Sequence, residues 1–404
     1  MEQLGILYYV GSFPKLSESF ILNEISELTR RGHNVAVFAL NNPDEEVTHN
    51  EYEDVRVPVY YANTSYADLP ELFSRKPLQM GIYQLNDGFF KMLSPKQAGH
   101  NLLLGRRCSE FIGSLEFSVD VIHGHFANPN KVGGMLAARD HDISCTVTAH
   151  AVEIFKHPNV DRIQYVCDVM DHVVVPSEYN RRYLREKIGV QNDITVIPAT
   201  TRIDKFKPSG STVKNRFLTV ARLVEKKGIQ FAIEAVNSLI GQGYNIEYHI
   251  IGTGNQREQL RKQVKKYGIG DSVNFLGHVT DERLRQELSE ACVFVLPCII
   301  AENGDRDAMP VALKEAMASE TVCVSTTVSA IPELITDGEN GRLVPPKEPE
   351  MLAEALKQLL RNPKIRQDLA QNGRDTVHKK FKIRNSVDRL EDVFSSVMSA
   401  ENNK

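Results

Sequence analysis

Short apolar runs alternate with segments of helical periodicity in two successive series along this 404-residue chain. Apolar runs of this length, separated by amphipathic helices, are typical of strands in parallel sheets with helices on both faces. The chain therefore belongs to the α/β class by its pattern alone. The predicted strands are at residues 5–10, 34–40, 119–123, 145–148, 172–175 and 195–198 in the first series, and at 217–220, 248–252, 273–276, 293–296 and 322–325 in the second.

The two series predict two Rossmann-like, doubly wound domains. The chain is too long for one ordinary core, and Pro198, Pro208 and Gly210 indicate a linker between the series. We place the first domain at 1–197 and the second at 198–381. Within the first domain, residues 11–14 are predicted to form a turn and Ser17 to cap a helix, whereas residues 41–114 have no assignable pattern.

Composition excludes several classes of protein. The formal net charge of −4 offers no broad basic surface for nucleic acid. Six scattered cysteines without a C-x-x-C pair favour buried, reduced thiols in a cytoplasmic protein. The chain has no apolar run long enough to span a bilayer, and its start does not resemble a signal peptide. Phosphate-loop, dinucleotide-fingerprint and G-x-S-x-G patterns do not occur, which argues against kinases and simple hydrolases.

Two cations and two carboxylates are candidates for ligand contacts in the second domain. Arg222 and Lys227 follow a predicted strand, at the edge where doubly wound sheets bind ligands. Asp307 precedes a helix that Pro310 begins, and Glu315 lies about one turn into that helix, beside N–H groups that attract anions. The same spacings fit two solvated surface cations and an ordinary acidic loop followed by a helix.

The residues around these candidates resemble a known family, and this resemblance favours ligand contacts over ordinary surface charges. The stretch 307–318, DAMPVALKEAMA, resembles the E-x7-E motif of retaining nucleotide-sugar glycosyltransferases with the GT-B fold, family 4. The stretches 220–228, 250–254 and 328–344 resemble further motifs of that family in the same order. Asp307 stands where the family has Glu, and Ala330 where it usually has Gly. The residues that lead into this motif, GDRD at 304–307, are similar to those of colanic acid glycosyltransferases.

The resemblance implies a role for each matching residue. Arg222 and Lys227 would stabilise the diphosphate, Glu315 would bind the ribose, and Asp307 would contact the transferred sugar. His150 would lie beside that sugar. A final helix at 382–399 would return to pack on the first domain. The other residues implied to bind the donor are Gly11, Gly277, His278, Val279, Ala308, Met309, Pro310 and Val311.

The first domain is expected to bring the acceptor and to need no metal. Ser17, Glu18, His125 and Phe126 are the candidate acceptor contacts. His123 and His125 share one face of a strand, so a zinc site is conceivable, but the sequence shows no third ligand at a telling spacing. Residues 305–307 spell D-x-D, a motif that binds a metal and the diphosphate in another glycosyltransferase fold. We favour a metal-free site, because Arg222 and Lys227 can neutralise the diphosphate instead.

The function that the resemblance implies is retaining transfer of a hexosyl unit from a nucleotide diphosphate sugar, with UDP as the expected nucleotide and no cofactor. The acceptor would be a saccharide, a lipid-linked or a small-molecule hydroxyl, and front-face displacement would be the mechanism. A non-hydrolysing epimerase and a catalytically silent partner are the alternatives. Residues 89–111 mix basic and apolar side chains, which fits either peripheral membrane contact or an amphipathic helix packed on the sheet.

Overall fold

The structure, a computed structural model, describes residues 2–15, 18–43, 55–74, 87–156, 158–200 and 202–401. It divides into two compact units. The first unit comprises Met1–Pro198 and Ile383–Lys404, and the second comprises Ala199–Lys382. Ser17, proposed above as a cap and an acceptor contact, lies outside the described residues.

A seven-stranded parallel sheet forms the centre of the first unit. Its strand order is β3-β2-β1-β4-β5-β6-β7, so the chain winds outward from β1 in one direction and then from β4 in the other. The strands are nearly all buried, as parallel strands covered on both faces must be. They are β1 (Gly5–Ser12), β2 (Asn34–Asn41), β3 (Val59–Tyr61), β4 (Val121–His125), β5 (Ser144–Thr148), β6 (His172–Val175) and β7 (Ile194–Val196).

Helices cover both faces of this sheet. One face packs against α1 and against the last helix of the chain, whose apolar residues join the side chains of β1 and β2 in one core. Arg31 holds the two helices together through ion pairs with Asp388 at 2.6 Å and Glu391 at 2.7 Å. The helices of this unit are α1 (Ser19–Arg30), α2 (Asp87–Met92), α3 (Pro95–Ile112), α4 (Val132–His141), α5 (Ala151–Phe155), α6 (Val160–Val169), α7 (Glu178–Tyr183) and, near the chain end, α15 (Ile383–Glu401).

The second unit repeats this arrangement with six parallel strands in the order β10-β9-β8-β11-β12-β13. Its strands are β8 (Arg216–Val220), β9 (Glu247–Ile251), β10 (Val273–Gly277), β11 (Val293–Leu296), β12 (Cys323–Thr326) and β13 (Arg342–Val344). Its helices are α8 (Ile229–Gly241), α9 (Arg257–Tyr267), α10 (Asp281–Glu290), α11 (Val311–Ala318), α12 (Ile331–Leu334), α13 (Pro349–Arg361) and α14 (Pro363–Lys380).

The α/β class and the two parallel sheets agree with the sequence analysis, but some boundaries were wrong. Residues 11 and 12 continue β1, because Ser12 still pairs with Asn41 of β2, so the predicted turn begins too early. The strand predicted at 119–123 is β4, which starts later and runs to His125 in register with β5. The three-residue edge strands β3 and β13 were missed.

Residues 89–111 are packed into the core of the first unit. Phe89, Leu93, Leu103 and Leu104 are buried, which matches the amphipathic-helix interpretation of this stretch. Arg107, one turn after Leu103 on the same side of α3, pairs with Glu71 at 2.8 Å. No helix in the described ranges has both the length and the apolarity required to cross a membrane. All six cysteines are buried and unpaired, as the sequence predicted.

The loop after β9 depends on a glycine. Gly252 has φ +127°, and a Cβ there would lie 1.9 Å from the carbonyl oxygen of Ala221. We expect Gly252→Ala to lower the free energy of unfolding by about 2 kcal/mol through strain and displacement of this loop. Gly243→Ala is the control: φ is also positive at +86°, but no described atom lies within 4 Å of the added methyl.

We expect the control to cost about 1 kcal/mol, from the left-handed backbone alone. Calorimetric melting of both variants beside the parent measures the difference. Equal melting temperatures would show that the contact with Ala221 is not a constraint on the fold.

Candidate active site

In the second unit, the predicted donor residues gather where the winding of the sheet reverses. The chain moves from β8 to β9 on one side and returns to β11 on the other, so the loops after β8 and β11 leave a crevice between them. Arg222 and Lys227 lie in the first loop, and Asp307 lies in the second. The loops are joined by a hydrogen bond from the Ile299 N–H to the Lys226 carbonyl, 2.9 Å long.

Asp307 is held by two lysines. Its Oδ2 lies 2.6 Å from Lys227 Nζ, and its Oδ1 lies 3.4 Å from Lys226 Nζ. Lys226 also pairs with Asp305 at 2.9 Å and is almost wholly buried. The Cys298 thiol approaches Asp307 Oδ2 at 3.7 Å. The contact of Asp307 with a transferred sugar therefore stays a prediction, because in this structure both oxygens of its carboxylate are shared with lysines.

The lysines determine the charge of this cluster. Burial by itself raises the pKa of Asp307, but Lys227 and Lys226 outweigh burial and lower that pKa to about 2. Burial likewise opposes the charge of Lys227, yet Asp307 raises its pKa above the ordinary value. Asp307 is thus a carboxylate and Lys227 an ammonium at neutral pH. Lys226 and Lys227 are balanced by Asp305 and Asp307, so the paired cluster by itself carries little net charge.

Arg222 supplies a further cation at the same loop. Its side chain is exposed, and in the described ranges the guanidinium makes no hydrogen bond or ion pair with another side chain. Its charge is close enough to oppose the protonated form of Lys227. An exposed guanidinium beside a buried ammonium can bind two oxygens of a phosphate at once.

The start of α11 is the second anion-binding element of this unit. Ala308 and Met309 are buried immediately before it, Pro310 occupies the cap position, and Val311 is the first helical residue. The first N–H groups of a helix lack internal partners and favour an anion. Glu315 follows one turn later, half-buried, where its charge is felt by Lys205 and by Lys314.

Ala330 is compatible with the backbone at its position. It has φ −95° and is buried, and its N–H donates to the carbonyl of Ala308 at 3.0 Å. A negative φ is open to any residue, so the alanine introduces no backbone strain. Alanine at this position is therefore compatible with the hydrogen bond to Ala308, which fixes the segment before α11.

Three more of the predicted donor residues lie at the carboxyl end of β10. Gly277 ends β10 with φ +69°, and its carbonyl accepts from the Gly252 N–H at 2.8 Å. His278 is exposed and Val279 half-buried directly after it. Both follow the carboxyl end of β10, in the same sheet as β8, the strand that precedes Lys227, as the sequence predicted.

The first unit has its own reversal of winding, between β1 and β4. Gly11 lies near the end of β1, and a Cβ there would meet no described atom within 4 Å. Neither its backbone nor the space around it requires glycine, so the role of Gly11 in donor binding stays a prediction. Glu18 pairs with Lys15 at 2.9 Å, and Phe126 follows β4 with φ +66°.

A buried polar cluster lies beside this crevice. His150 follows β5, with its ring between Phe20 and Phe126 at centroid distances of 4.7 and 4.6 Å. Its Nε2 lies 3.0 Å from Nδ1 of His125. The backbone N–H of His150 donates to Oε1 of Glu153 at 2.6 Å. His125 is fully buried and contacts His150, so the acceptor contact predicted for it stays a prediction.

The zinc hypothesis gains a third candidate ligand in the structure. Glu24, distant in sequence, brings a carboxylate oxygen to His123 and His125, and the three ligand atoms lie within 4.8 Å of one another. Yet His123 Nδ1 bonds to Thr146 at 2.7 Å and its Nε2 to Thr148 at 3.0 Å. Both nitrogens of His123 thus have hydroxyl partners, whereas His125 Nε2 is buried without a hydrogen-bond partner among the described residues. That the protein needs no metal stays a prediction.

Sequence reasoning missed several of these residues. Lys226 was not predicted as a site residue, although it is adjacent to Lys227 in the sequence. Nothing in the sequence around Glu24 and Lys131 distinguishes them from exposed charged residues. In the structure both are buried. Lys314 is also buried, bonded to the Ala199 carbonyl and placed 4.9 Å from the centre of the Phe381 ring. Burial lowers the pKa of Lys314 to about 7 despite Glu315 beside it.

Comparisons with known proteins agree with this arrangement. The family model described as "Glycosyl transferases group 1" matches residues 200–376, and "Glycosyltransferase Family 4" matches residues 17–204. The chain is 29% identical to a putative colanic acid biosynthesis glycosyltransferase, WcaL, of Salmonella typhimurium, covering 89% of this chain and 91% of that one. It is 28% identical to the amylovoran biosynthesis glycosyltransferase AmsK of Erwinia amylovora, covering 88% and 90%.

Solved structures show the same fold. A glycosyltransferase from Rickettsia africae superimposes with a TM-score of 0.76 at 14% identity, covering 98% of this chain and 99% of that one. HepE of Anabaena, solved in complex with UDP, superimposes with a TM-score of 0.74 at 17% identity, covering 97% and 100%.

Two doubly wound parallel-sheet units give the chain the GT-B fold, and the two family models identify it as a glycosyltransferase. The two family models together account for residues 17–376. The chain belongs to glycosyltransferase family 4, with a C-terminal unit of glycosyl transferases group 1.

Proposed function

We propose that this protein transfers a hexosyl unit from a UDP-sugar to a hydroxyl acceptor with retention of configuration, in the biosynthesis of an exopolysaccharide. The observation that carries the proposal is the Lys226–Asp307–Lys227 cluster beside the start of α11. Fixed cations at this crevice stabilise a departing diphosphate better than the intact sugar nucleotide, because negative charge develops on the diphosphate as the bond breaks.

The names of the relatives support the pathway. WcaL and AmsK are both named for the biosynthesis of extracellular polysaccharides, and each aligns over most of its length with this chain. HepE has been solved with UDP and with UDP-glucose, which supports the choice of nucleotide. The acceptor we propose is the growing saccharide, free or lipid-linked.

The mechanism we propose is front-face displacement. Lys227 and Arg222 stabilise the charge that develops on the leaving phosphate, and that phosphate accepts the proton of the attacking hydroxyl. Glu315 binds the ribose, and the N–H groups at the start of α11 contact the diphosphate. No separate general base is required in this scheme.

A two-stage experiment tests the proposal. Melting the purified protein with UDP, GDP, ADP and dTDP identifies the nucleotide, because a ligand that binds only the folded form raises the melting temperature. Incubation with the matching sugar nucleotides and saccharide acceptors, followed by NMR of the product anomeric proton, gives the stereochemistry. Nucleotide binding without transfer would favour a silent partner, and isomerisation of the donor sugar would favour an epimerase.

We expect transfer to be independent of divalent cations. The carboxylates of Asp305 and Asp307, which spell the D-x-D triplet, are both paired with lysines, and these ammonium groups occupy the side of the carboxylates that a metal ion would need. Treatment with excess EDTA should change the rate by less than about twofold. A loss that Mg²⁺ or Mn²⁺ restores would contradict the expectation.

A further inference from the structure

Lys226 belongs to the charged cluster of the second unit, yet the mechanism proposed above gives it no role. Its side chain is 3% exposed, and its ammonium contacts two carboxylates, Asp305 Oδ1 at 2.9 Å and Asp307 Oδ1 at 3.4 Å. Lys227 contacts the other oxygen of Asp307, Oδ2, at 2.6 Å. A buried ammonium is costly unless carboxylates compensate it, so the position of Lys226 depends on both aspartates.

The loops that carry this cluster are also joined by contacts that do not involve the ammonium of Lys226. The Ile299 N–H donates to the Lys226 carbonyl at 2.9 Å. Gly228 has φ +64°, and a Cβ there would lie 1.9 Å from the carbonyl oxygen of Pro297, so the two backbones approach closely. Since backbone contacts already join the loops after β8 and β11, the contribution of the Lys226 side chain is mainly its charge.

Each oxygen of Asp307 faces a different lysine, and this division has a consequence when an anion binds. In the proposed mechanism Lys227 stabilises the leaving phosphate, so its contact with Asp307 must weaken as the diphosphate enters. Separating a buried ion pair is costly when it leaves the carboxylate without a cation. The second contact, from Lys226, leaves Asp307 with a cation and so reduces this cost.

We propose that Lys226 is a positioning residue that holds Asp307 while Lys227 exchanges Asp307 for the diphosphate of the donor. In the ligand-free protein both lysines are paired with aspartates, and the cluster has little net charge. When a diphosphate enters, Lys227 turns to it, and Lys226 stays with Asp305 and Asp307. Asp307 thus remains charged and in place for the transferred sugar.

The inference rests on the proposed function, because it concerns a diphosphate at Lys227. It accounts for the binding of an anion by a cluster whose charges are balanced: the exchange makes the charge of Lys227 available only when the diphosphate is present. It also gives the adjacent lysines different roles. Lys227 contacts the ligand, whereas Lys226 acts through Asp307.

Titration calorimetry with UDP tests the exchange, since UDP has the diphosphate but no sugar that could contact Asp307. Lys226→Met removes the ammonium and nearly keeps the length of the side chain. Among the described residues, Lys227 is then the one cation paired with Asp307. We therefore expect UDP to bind about tenfold more weakly. Asp307→Asn removes the carboxylate that competes for Lys227, so UDP should bind about threefold more tightly than to the parent.

The double variant Lys226→Met/Asp307→Asn separates positioning from a purely structural role. Without the carboxylate of Asp307, the loss of affinity caused by Lys226→Met should shrink from about tenfold to about twofold. A structural effect of Lys226 would be equal in both backgrounds. Lys262→Met removes the same charge from an exposed position on α9 and should change UDP affinity by less than about twofold.

Melting of the same proteins without nucleotide tests the contact itself. Lys226→Met should lower the melting temperature more in the parent than in Asp307→Asn, because only the parent has the charged carboxylate to be held. If Lys226→Met does not fold, Asp307→Asn alone decides: UDP affinity equal to or weaker than that of the parent would overturn the exchange.

The outcomes separate this inference from the proposed function. If UDP binds the parent and Lys226→Met equally well, or if the loss is the same in both backgrounds, the inference is overturned and the proposed function is not affected. If the parent binds no nucleotide, the proposed function fails and the exchange fails with it. The melting comparison then still decides whether Lys226 holds Asp307.

Discussion

Lys227→Ala should lower kcat by about a thousandfold, equivalent to ~4 kcal/mol of transition-state stabilisation. The ammonium is fixed at 2.6 Å from Asp307, and burial makes its charge effective at short range. Its loss removes a cation from the crevice where the leaving diphosphate gains charge. Since Lys226 continues to neutralise Asp307, the loops should remain joined.

Steady-state kinetics with a saturating donor measure this effect. Lys262→Ala is the matched control, because it removes an equal charge from an exposed position on α9 of the same unit. Lys227→Arg keeps the charge and should recover part of the rate. If Lys227→Ala and Lys262→Ala had equal kcat, the leaving-group role of Lys227 would be wrong.

Glu315→Gln should weaken the binding of UDP by about ten- to a hundredfold, or ~1.4–2.7 kcal/mol. A carboxylate one turn into α11 can accept from both hydroxyls of a ribose, whereas an amide offers one acceptor oxygen. The diphosphate contacts at the start of the helix are not altered, so some binding should persist.

Titration calorimetry with UDP gives the dissociation constant directly. Glu282→Gln, an equal change of charge at an exposed position on α10, is the control. The melting temperature without nucleotide should be similar in both variants. Unchanged UDP affinity in Glu315→Gln would place the ribose elsewhere.

The positions of Lys227, Asp307 and Glu315 in the chain follow from sequence, but their contacts do not. Spacing and the family motifs put them on loops at the carboxyl ends of strands, since parallel βαβ units allow little else. The ion pairs of Asp307 with two lysines require the loops after β8 and β11 to meet. Those strands are far apart in sequence, and only sheet order makes them neighbours.

The errors in the strand assignments have a similar origin. Residues 59–61 and 342–344 form edge strands of three residues, too short to show a period. Ser12 looked like part of a turn because Gly11 and Pro14 flank the region, yet pairing with Asn41 extends β1 through it. Local propensity was overridden by the neighbouring strand.

The sequence by itself determined the two α/β sheets, their order along the chain and the family motifs, because hydrophobic period and local spacing act over a few residues. Only the tertiary structure decided that Glu24 lies against His125, or that Lys226 shares Asp307 with Lys227. Burial then raises the pKa of Glu24 and lowers that of His125. Burial is a property of the packed molecule, so a linear pattern does not contain it.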